Sequence, residues 1–242
     1  VSIALIIGSL FVRLQNHFLR SASLGFDKDH VAIVELSSDI ARAPDTYVNL
    51  LKAYPGIEDV AFAGYKLGAE DNRNNWGGRD FMISVSVVSE NFLKVMNIPL
   101  TEGRDFRAAD RTRQDVMYTC ILNERAAKEL HLAEGDQFPL NRGMAEAVGF
   151  TADIKNNTLK KDVVPHTFLI QSGYTPAFSV SYVKLNAGTD IIAASEHIRK
   201  TLKTLDEGFP FSIQFYDQIL DATYHRETEL SRLVTLFCLL AV

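Results

Sequence analysis

The chain has 242 residues, of which 47% are hydrophobic and 23% charged, an ordinary balance for a globular domain. Its formal net charge of −5 offers no basic surface to a nucleic acid, so we expect no nucleic-acid partner. The two cysteines, Cys120 and Cys238, are expected to be reduced, which leaves no disulfide framework to organise the fold.

Both ends of the sequence carry uncharged apolar runs, residues 1–12 (VSIALIIGSLFV) and 233–242 (LVTLFCLLAV). A membrane-spanning helix needs about 20 apolar residues, and each of these runs stops where the sequence stops. No basic segment precedes the first run, which disfavours a secretory signal peptide. A buried core helix is the other alternative for either run. Because apolar runs occupy both ends, we predict two truncated transmembrane helices flanking a water-facing domain.

The segment after the first apolar run predicts a strand–helix–strand unit. Residues 31–36 (VAIVEL) are short and rich in β-branched side chains, which predicts a buried strand. Pro44 suits the first turn of a helix, whose apolar stripe is Tyr47, Leu50, Leu51 and Tyr54. Residues 57–65 then predict a second strand.

A second strand–helix–strand unit is predicted near the other end of the chain. Phe178, Val180 and Tyr182 alternate with serines, as in a half-buried strand. Thr189 or Asp190 is expected to cap a helix. The apolar stripe of that helix and the alternating strand after it contain Ile191, Ser195, Ile198, Leu202 and Leu205, followed by Phe211, Ile213 and Phe215.

The middle of the chain alternates between strand and helix signals. Residues 81–87, 116–122, 137–140 and 144–150 predict strands. Ser89 is expected to cap a short helix that carries Phe92, Val95 and Met96, and Asn123 to cap another. Both membrane ends must lie at one bilayer surface, so the two outer units should pair into one membrane-proximal sheet. The sequence therefore predicts an α+β fold with an inserted α/β subdomain.

Motifs for covalent chemistry are missing from the sequence. It has no glycine-rich phosphate loop and no G-x-S-x-G nucleophile elbow. His225 with Glu229 and His131 with Glu134 are the best metal-like pairs, but zinc needs three or four ligands. We therefore expect no catalytic, cofactor-binding or metal-binding residues, and no enzymatic activity in this segment.

Several segments, taken in order, resemble one protein family. These are LGFDKDHV (24–31), VSVVSENFLKVMNIPLTEGRDF (85–106), ILNERAAKEL (121–130) and AVGFTADIKNNTL (147–159). In this order and spacing the chain resembles the MacB-like periplasmic core domain of bacterial ABC-transporter permeases, within the FtsX-like permease superfamily. One departure is Phe150, where the family more often has a small aliphatic residue.

The resemblance implies a domain organisation. Residues 1–24 would end the first transmembrane helix and form a stalk, and 222–242 would form a stalk and begin the second. Residues 25–67 and 164–221 would be the two halves of a porter-like subdomain next to the membrane, and 68–163 the inserted outer subdomain. The domain would face the periplasm from the bacterial inner membrane.

The resemblance also implies function and partners. The domain would couple cytoplasmic ATP hydrolysis to export, or to a periplasmic partner, by mechanotransmission. The expected partners are the membrane, an ABC ATPase subunit or domain, a second permease subunit, and a periplasmic adaptor or lipoprotein. A ligand-sensing ectodomain of a two-helix membrane receptor is the alternative. Two more membrane spans after residue 242 would favour the permease, and a cytoplasmic kinase would favour the receptor.

Two polar loops far in sequence from both membrane ends are the candidate partner-binding sites, residues 71–78 and 104–113. The residues proposed to bind a partner are Trp76, Arg79, Arg104 and Arg107. Ordinary surface loops are the alternative for each.

Overall fold

The structure, a computed structural model, describes residues 30–67, 75–76, 82–154, 163–173 and 178–215. Its helices and strands follow in chain order: β1 (Val31–Glu35), α1 (Ser38–Arg42), α2 (Pro44–Lys52), β2 (Ile57–Ala63), β3 (Asn75–Trp76), β4 (Ile83–Val87), α3 (Phe92–Val95), β5 (Leu100–Gly103), a 3₁₀ helix (Ala108–Thr112), β6 (Tyr118–Asn123), α4 (Glu124–Leu130), β7 (Gln137–Leu140), β8 (Gly143–Thr151), β9 (His166–Gln171), β10 (Val180–Leu185), α5 (Ile191–Leu205) and β11 (Ile213–Phe215).

The two predicted strand–helix–strand units pair into one sheet. Within the described residues this sheet has four antiparallel strands in the order β11-β1-β10-β2. With its helices on one face, it has the arrangement of a split βαβ, or ferredoxin-like, unit. Pro44 lies in the first turn of α2 and Asp190 caps α5, as predicted. The Asp190 carboxylate accepts hydrogen bonds from the N–H groups of Ile192 and Ala193.

The chain enters and leaves the four-stranded sheet at one end and is interrupted at the other. At the first end, Ala32 of β1 is the register partner of Phe215 of β11; we call it the entry end. At the opposite end, Ala63 of β2 is the register partner of Val180 of β10; we call it the insertion end. Everything between these last two residues is one insertion, and it contains the second sheet.

The second sheet has seven strands among the described residues, in the order β3-β4-β9-β6-β8-β5, and β7 also pairs with β8. The β4–β9 and β6–β8 pairs are parallel and the others are antiparallel. Strand β9 falls within the range 164–221 that the resemblance assigned to the second porter-like half, but it pairs with β4 and β6. Its apolar run could not indicate the strand partners, since pairing is set by contacts far away in sequence.

Three buried clusters hold these layers together. One lies between the four-stranded sheet and its helices, and another lies on the outer face of the seven-stranded sheet around α4. The remaining cluster, which we call the shared core, lies between the two sheets. This shared core has α3 in its middle, and its members include Val31, Ile33, Tyr182, Phe92, Met96, Ile121, Val148 and Phe168. Strand β1 is buried along Val31–Val34 because a core covers each of its faces.

Three sequence predictions need correction. Leu50 does not belong to the buried stripe of α2, because it is 38% exposed and the helix buries Tyr47 and Leu51. Ser89 does not cap α3: the capping position is Asn91, and the Ser89 side chain turns to β2 instead. Ile191 does not belong to the buried stripe of α5, because it is 45% exposed and the helix buries Ala194, Ile198, Thr201 and Leu202. Ile192 is 74% exposed, so Ala194 is the residue of the first turn that α5 buries.

Among the described residues, no helix is long and apolar enough to cross a membrane. The two predicted transmembrane segments, residues 1–12 and 233–242, and their stalks lie outside the described residues.

Candidate partner-binding surface

Arg104 follows the edge strand β5 at a point where two backbones nearly touch. Gly103 has φ +77°, and a Cβ at this position would lie 2.5 Å from the carbonyl oxygen of Val148. A Cβ at Gly149 would lie 2.6 Å from the carbonyl oxygen of Arg104. Val148 is the extra residue of a bulge in β8, and its carbonyl accepts the Arg104 N–H at 2.9 Å. Two glycines therefore fix where Arg104 leaves the sheet.

The guanidinium of Arg104 forms a two-pronged ion pair with Asp110. The nitrogen–oxygen distances are 2.9 and 2.8 Å, and the Asp110 carboxylate also accepts the Arg107 N–H at 2.8 Å. Burial by itself would raise the pKa of Asp110, but the hydrogen bonds from Arg104 and from the Arg107 backbone outweigh it and lower that pKa. Arg104 thus holds the loop together, and its charge is engaged inside the domain.

Two further arginines fix the rest of the loop 104–113 to the sheet. Arg111 pairs with Glu90, and Arg113 pairs with Asp115 and Glu146. Hydrogen bonds to both carboxylates raise the pKa of Arg113. The segment after β9 also holds the loop, because the Gly173 N–H donates to the Arg111 carbonyl at 2.9 Å. The predicted loop is therefore an ordered, ion-paired element.

Arg107 differs from the other arginines of the loop. It is exposed at the start of the 3₁₀ helix, and its side chain forms no ion pair with any described residue. An arginine of this kind can pair with a carboxylate of a partner without first breaking an internal ion pair. Of Arg104 and Arg107, the two proposed partner-binding arginines that the structure describes, Arg107 is the one whose charge no described carboxylate engages.

Trp76 and the arginine loop lie at opposite edges of the seven-stranded sheet. Trp76 is in β3, paired with Ile83 of β4, and Arg104 follows β5. Five strand spacings separate β3 from β5, which is about 24 Å along the sheet. Arg79 and the Trp76 side chain lie outside what the structure describes. Trp76 and Arg104 therefore do not lie on one patch, and the partner-binding role of all four residues remains a prediction.

An exposed apolar pair, which sequence reasoning missed, lies next to the Trp76 strand. Met82 is 60% exposed and Val164 is 37% exposed. They precede the starts of two neighbouring strands, since Ser84 of β4 donates its N–H to the carbonyl of Pro165, just before β9, at 2.9 Å. Alternation placed Met82 on the side of its strand opposite Ile83, but the pattern did not show whether anything covered that side.

Two buried titratable groups of the insertion are held in their neutral forms. Burial raises the pKa of Cys120 to about 12, so its thiol stays protonated at neutral pH. Burial lowers the pKa of His166 to about 4, so its ring stays neutral. Among the described residues, no group of three or more His, Cys, Asp and Glu side chains is placed to hold a metal ion.

Comparison with known proteins places this fold in a family. The profile of the MacB-like periplasmic core domain matches residues 1–201. The periplasmic region of MacB from Actinobacillus actinomycetemcomitans superposes with a TM-score of 0.56 at 14% identity, covering 82% of this chain and 94% of that one. The extracellular domain of the noncanonic ABC-type transporter YknZ from Gram-positive bacteria gives 0.54 at 13% identity, covering 76% and 99%.

A domain of a putative permease protein from Porphyromonas gingivalis gives a TM-score of 0.50 at 15% identity, covering 78% of this chain and 92% of that one. No curated protein matches the chain. These identities establish a shared fold, and the profile, which spans most of the chain, establishes the relationship. The chain belongs to the family of MacB-like periplasmic core domains of ABC-transporter permeases.

Proposed function

We propose that this domain couples ATP hydrolysis on the cytoplasmic side of the bacterial inner membrane to export, or to a periplasmic partner, by mechanotransmission. It performs no covalent chemistry itself. An ABC ATPase, as a subunit or as a fused domain, supplies the energy, and a second permease subunit completes the membrane part. A periplasmic adaptor or lipoprotein receives the movement at the inserted subdomain.

One observation carries this proposal: the entry end and the insertion end lie at opposite ends of the same strands. Ala32 and Phe215 are register partners on neighbouring strands at the entry end, so the segments that lead to both apolar runs leave the sheet side by side. Ala63 and Val180 lead into the insertion at the other end. A displacement imposed by two membrane helices at one end is thereby delivered at the other.

The test uses the full-length protein, extracted from membranes in mild detergent. Copurifying polypeptides are identified by mass spectrometry and ATP hydrolysis is assayed with and without vanadate. We expect a stoichiometric nucleotide-binding subunit, or a fused domain, with vanadate-sensitive activity. A preparation that lacks an ATPase and carries a kinase or signalling domain would contradict the proposal and favour the ligand-sensing receptor.

A further inference from the structure

The segment 88–92, which follows β4 and ends at the first residue of α3, is where the two sheets meet. Val88 forms an isolated antiparallel bridge with Ala63, and the Gly64 N–H donates to the Val87 carbonyl at 2.9 Å. Ser89 makes two contacts to Phe62 of β2. Its N–H donates to the Phe62 carbonyl at 3.0 Å, and its hydroxyl accepts the Phe62 N–H at 2.9 Å.

Asn91 extends this junction with its side-chain amide. Its Nδ2 donates to the Val60 carbonyl at 2.9 Å and to the Asp59 carboxylate at 3.1 Å, and its Oδ1 accepts the Ser89 hydroxyl at 2.8 Å. Asp59 also pairs with Lys52 at the end of α2, at 2.6 Å. One polar network therefore runs from a helix of the four-stranded sheet to the start of α3. We call Ser89 and Asn91 the polar clamp.

Phe92 supplies the apolar half of the same junction. Its ring is fully buried between one aromatic side chain from each sheet. It meets Tyr182 of the four-stranded sheet edge-on, with ring centroids 5.2 Å apart, and Phe168 of the seven-stranded sheet at 5.7 Å. The Tyr182 hydroxyl accepts the Leu67 N–H at 2.6 Å, where the chain leaves β2 for the insertion. Phe92 therefore touches both sheets at their point of closest connection.

We propose that the segment 88–92 is a rigid joint that makes the two sheets move as one body, with the polar clamp locking it and Phe92 packing the shared core between the two sheets. This inference rests on the proposed mechanotransmission and assigns it to particular residues. It also explains the Ser-x-x-Phe pattern of residues 89–92: Ser89 is placed to hold β2, and Phe92, three residues later, to fill the shared core.

The arrangement favours a rigid joint over a hinge for two reasons. Close-packed interiors transmit displacement because their side chains have no free volume in which to absorb it, and the shared core is continuous across both sheets. A hinge also needs a segment whose backbone is free to change φ and ψ. Here the backbone of residues 87–89 makes two hydrogen bonds to β2 and the residue after it, from the Ser89 N–H to the Phe62 carbonyl and from the Gly64 N–H to the Val87 carbonyl. The Ser89 hydroxyl adds a third bond by accepting the Phe62 N–H.

The experiment compares Asn91→Ala with wild type in the full-length permease by hydrogen exchange and mass spectrometry. The matched control is Asn186→Ala, which removes an amide hydrogen bond to the Pro55 carbonyl at 2.9 Å within the four-stranded sheet alone. We expect Asn91→Ala to accelerate exchange on the order of tenfold in peptides covering 59–64 and 87–92. Peptides covering β6 and β11 should keep their protection, and Asn186→Ala should affect only the loops it joins.

A cysteine pair then tests whether the joint transmits movement. Ala63→Cys with Val88→Cys places thiols at antiparallel partners, whose Cα separation of about 4.5–5.5 Å suits a disulfide. In an Asn91→Ala background we expect less cargo transported per ATP hydrolysed. Oxidation of the pair should restore both the transport ratio and the exchange protection, and reduction should abolish the rescue.

Exchange that is unchanged in Asn91→Ala, or that matches Asn186→Ala, would overturn the polar clamp. Accelerated exchange with an unaltered transport ratio would overturn the rigid joint, because the sheets would then be loosely connected without loss of coupling. A wild-type protein without any associated ATPase would instead refute the proposed function, and the exchange comparison would still decide whether the clamp connects the two sheets.

Discussion

Arg104 and Arg107 are three residues apart in one loop but have opposite roles. Arg104 neutralises Asp110, which is only 2% exposed and also accepts the Arg107 N–H. The Arg107 side chain points to solvent and forms no ion pair with the described residues. Sequence reasoning grouped them because both are loop arginines, and only the position of Asp110 separates a structural arginine from an available one.

The first prediction contrasts these two arginines. Arg104→Ala leaves a buried carboxylate without its counter-ion, and we expect it to lower the free energy of unfolding by about 2 kcal/mol. This is below the usual cost of breaking a buried pair because Arg104 is partly solvated. Arg107→Ala should change it by less than about 0.5 kcal/mol. Urea unfolding followed by circular dichroism measures both, and equal losses would contradict the assigned roles.

The second prediction concerns the neutral ring of His166. Burial depresses its pKa from 6.5 to about 4, so the unfolded chain binds the proton more readily than the folded one. The contribution of the neutral His166 ring to the free energy of unfolding is therefore fully present above pH 6.5 and is lost as the pH falls toward 4. Proton linkage predicts that the free energy of unfolding falls by about 2 kcal/mol between pH 7 and pH 5 because of His166 alone.

His166→Leu should remove that share of the pH dependence, because leucine cannot titrate. The measurement is urea unfolding of wild type and variant at pH 7, 6 and 5. If the two proteins lose stability in parallel across this range, His166 does not titrate as its burial requires.

At the scale of elements, strands β5 and β8 pack more closely than a side chain would allow. The backbone of Gly103 has a left-handed φ, and a Cβ there would lie 2.5 Å from the Val148 carbonyl oxygen. Gly188 also has a left-handed φ of +80°, but a Cβ there would meet open space. The third prediction follows from this contrast. Gly103→Ala should cost about 3 kcal/mol, from backbone strain plus overpacking, and Gly188→Ala about 1 kcal/mol from strain alone.

Thermal unfolding of the two glycine variants measures the difference between them. A melting temperature of Gly103→Ala equal to that of Gly188→Ala would mean that β5 separates from β8 without cost. The bulge at Val148 would then not be fixed by the close approach of the two strands.

The elements that the sequence predicted well are those whose signals are local. Periodicity with Pro44 located α2, periodicity with the Asp190 cap located α5, and alternation located β4. Strand β9 shows why the remainder could not be predicted. Its residues are buried on both faces and carry no alternation, and its partners β4 and β6 are far away in sequence.

Ser89 and Asn91 illustrate the same limit within the junction. A serine before a short apolar helix predicts a cap from local propensity. Here the serine hydroxyl accepts the Phe62 N–H of a strand 27 residues earlier. The candidate surface was harder still, because nothing in the sequence shows that Trp76 lies in one edge strand of the sheet and Arg104 follows the opposite edge strand.

At the scale of the whole molecule, the proposed joint would make the two sheets a lever with defined ends. The entry end lies at Ala32 and Phe215, and the apolar pair Met82 and Val164 lies where β4 and β9 begin, away from the Ala63–Val88 bridge. Five residues of β4 alone span about 16 Å. A rigid body of this shape should show larger displacements at Met82 than near the entry end.

The measurement that tests this most directly is resonance energy transfer in lipid nanodiscs. A donor dye is placed on Met82→Cys in the full-length permease with its ATPase, and acceptor dyes are placed on lipid headgroups. Ala53→Cys, exposed beside the entry end, serves as the near reference. Cys120 is buried with a pKa of about 12 and should not label, and Cys238 is replaced by serine.

We predict that transfer efficiency at Met82→Cys changes between the nucleotide-free and vanadate-trapped states, and that it changes less at Ala53→Cys. With a hydrolysis-deficient ATPase, the transfer efficiency should stay at one value. Identical transfer efficiencies in every nucleotide state at both positions would contradict the coupling role.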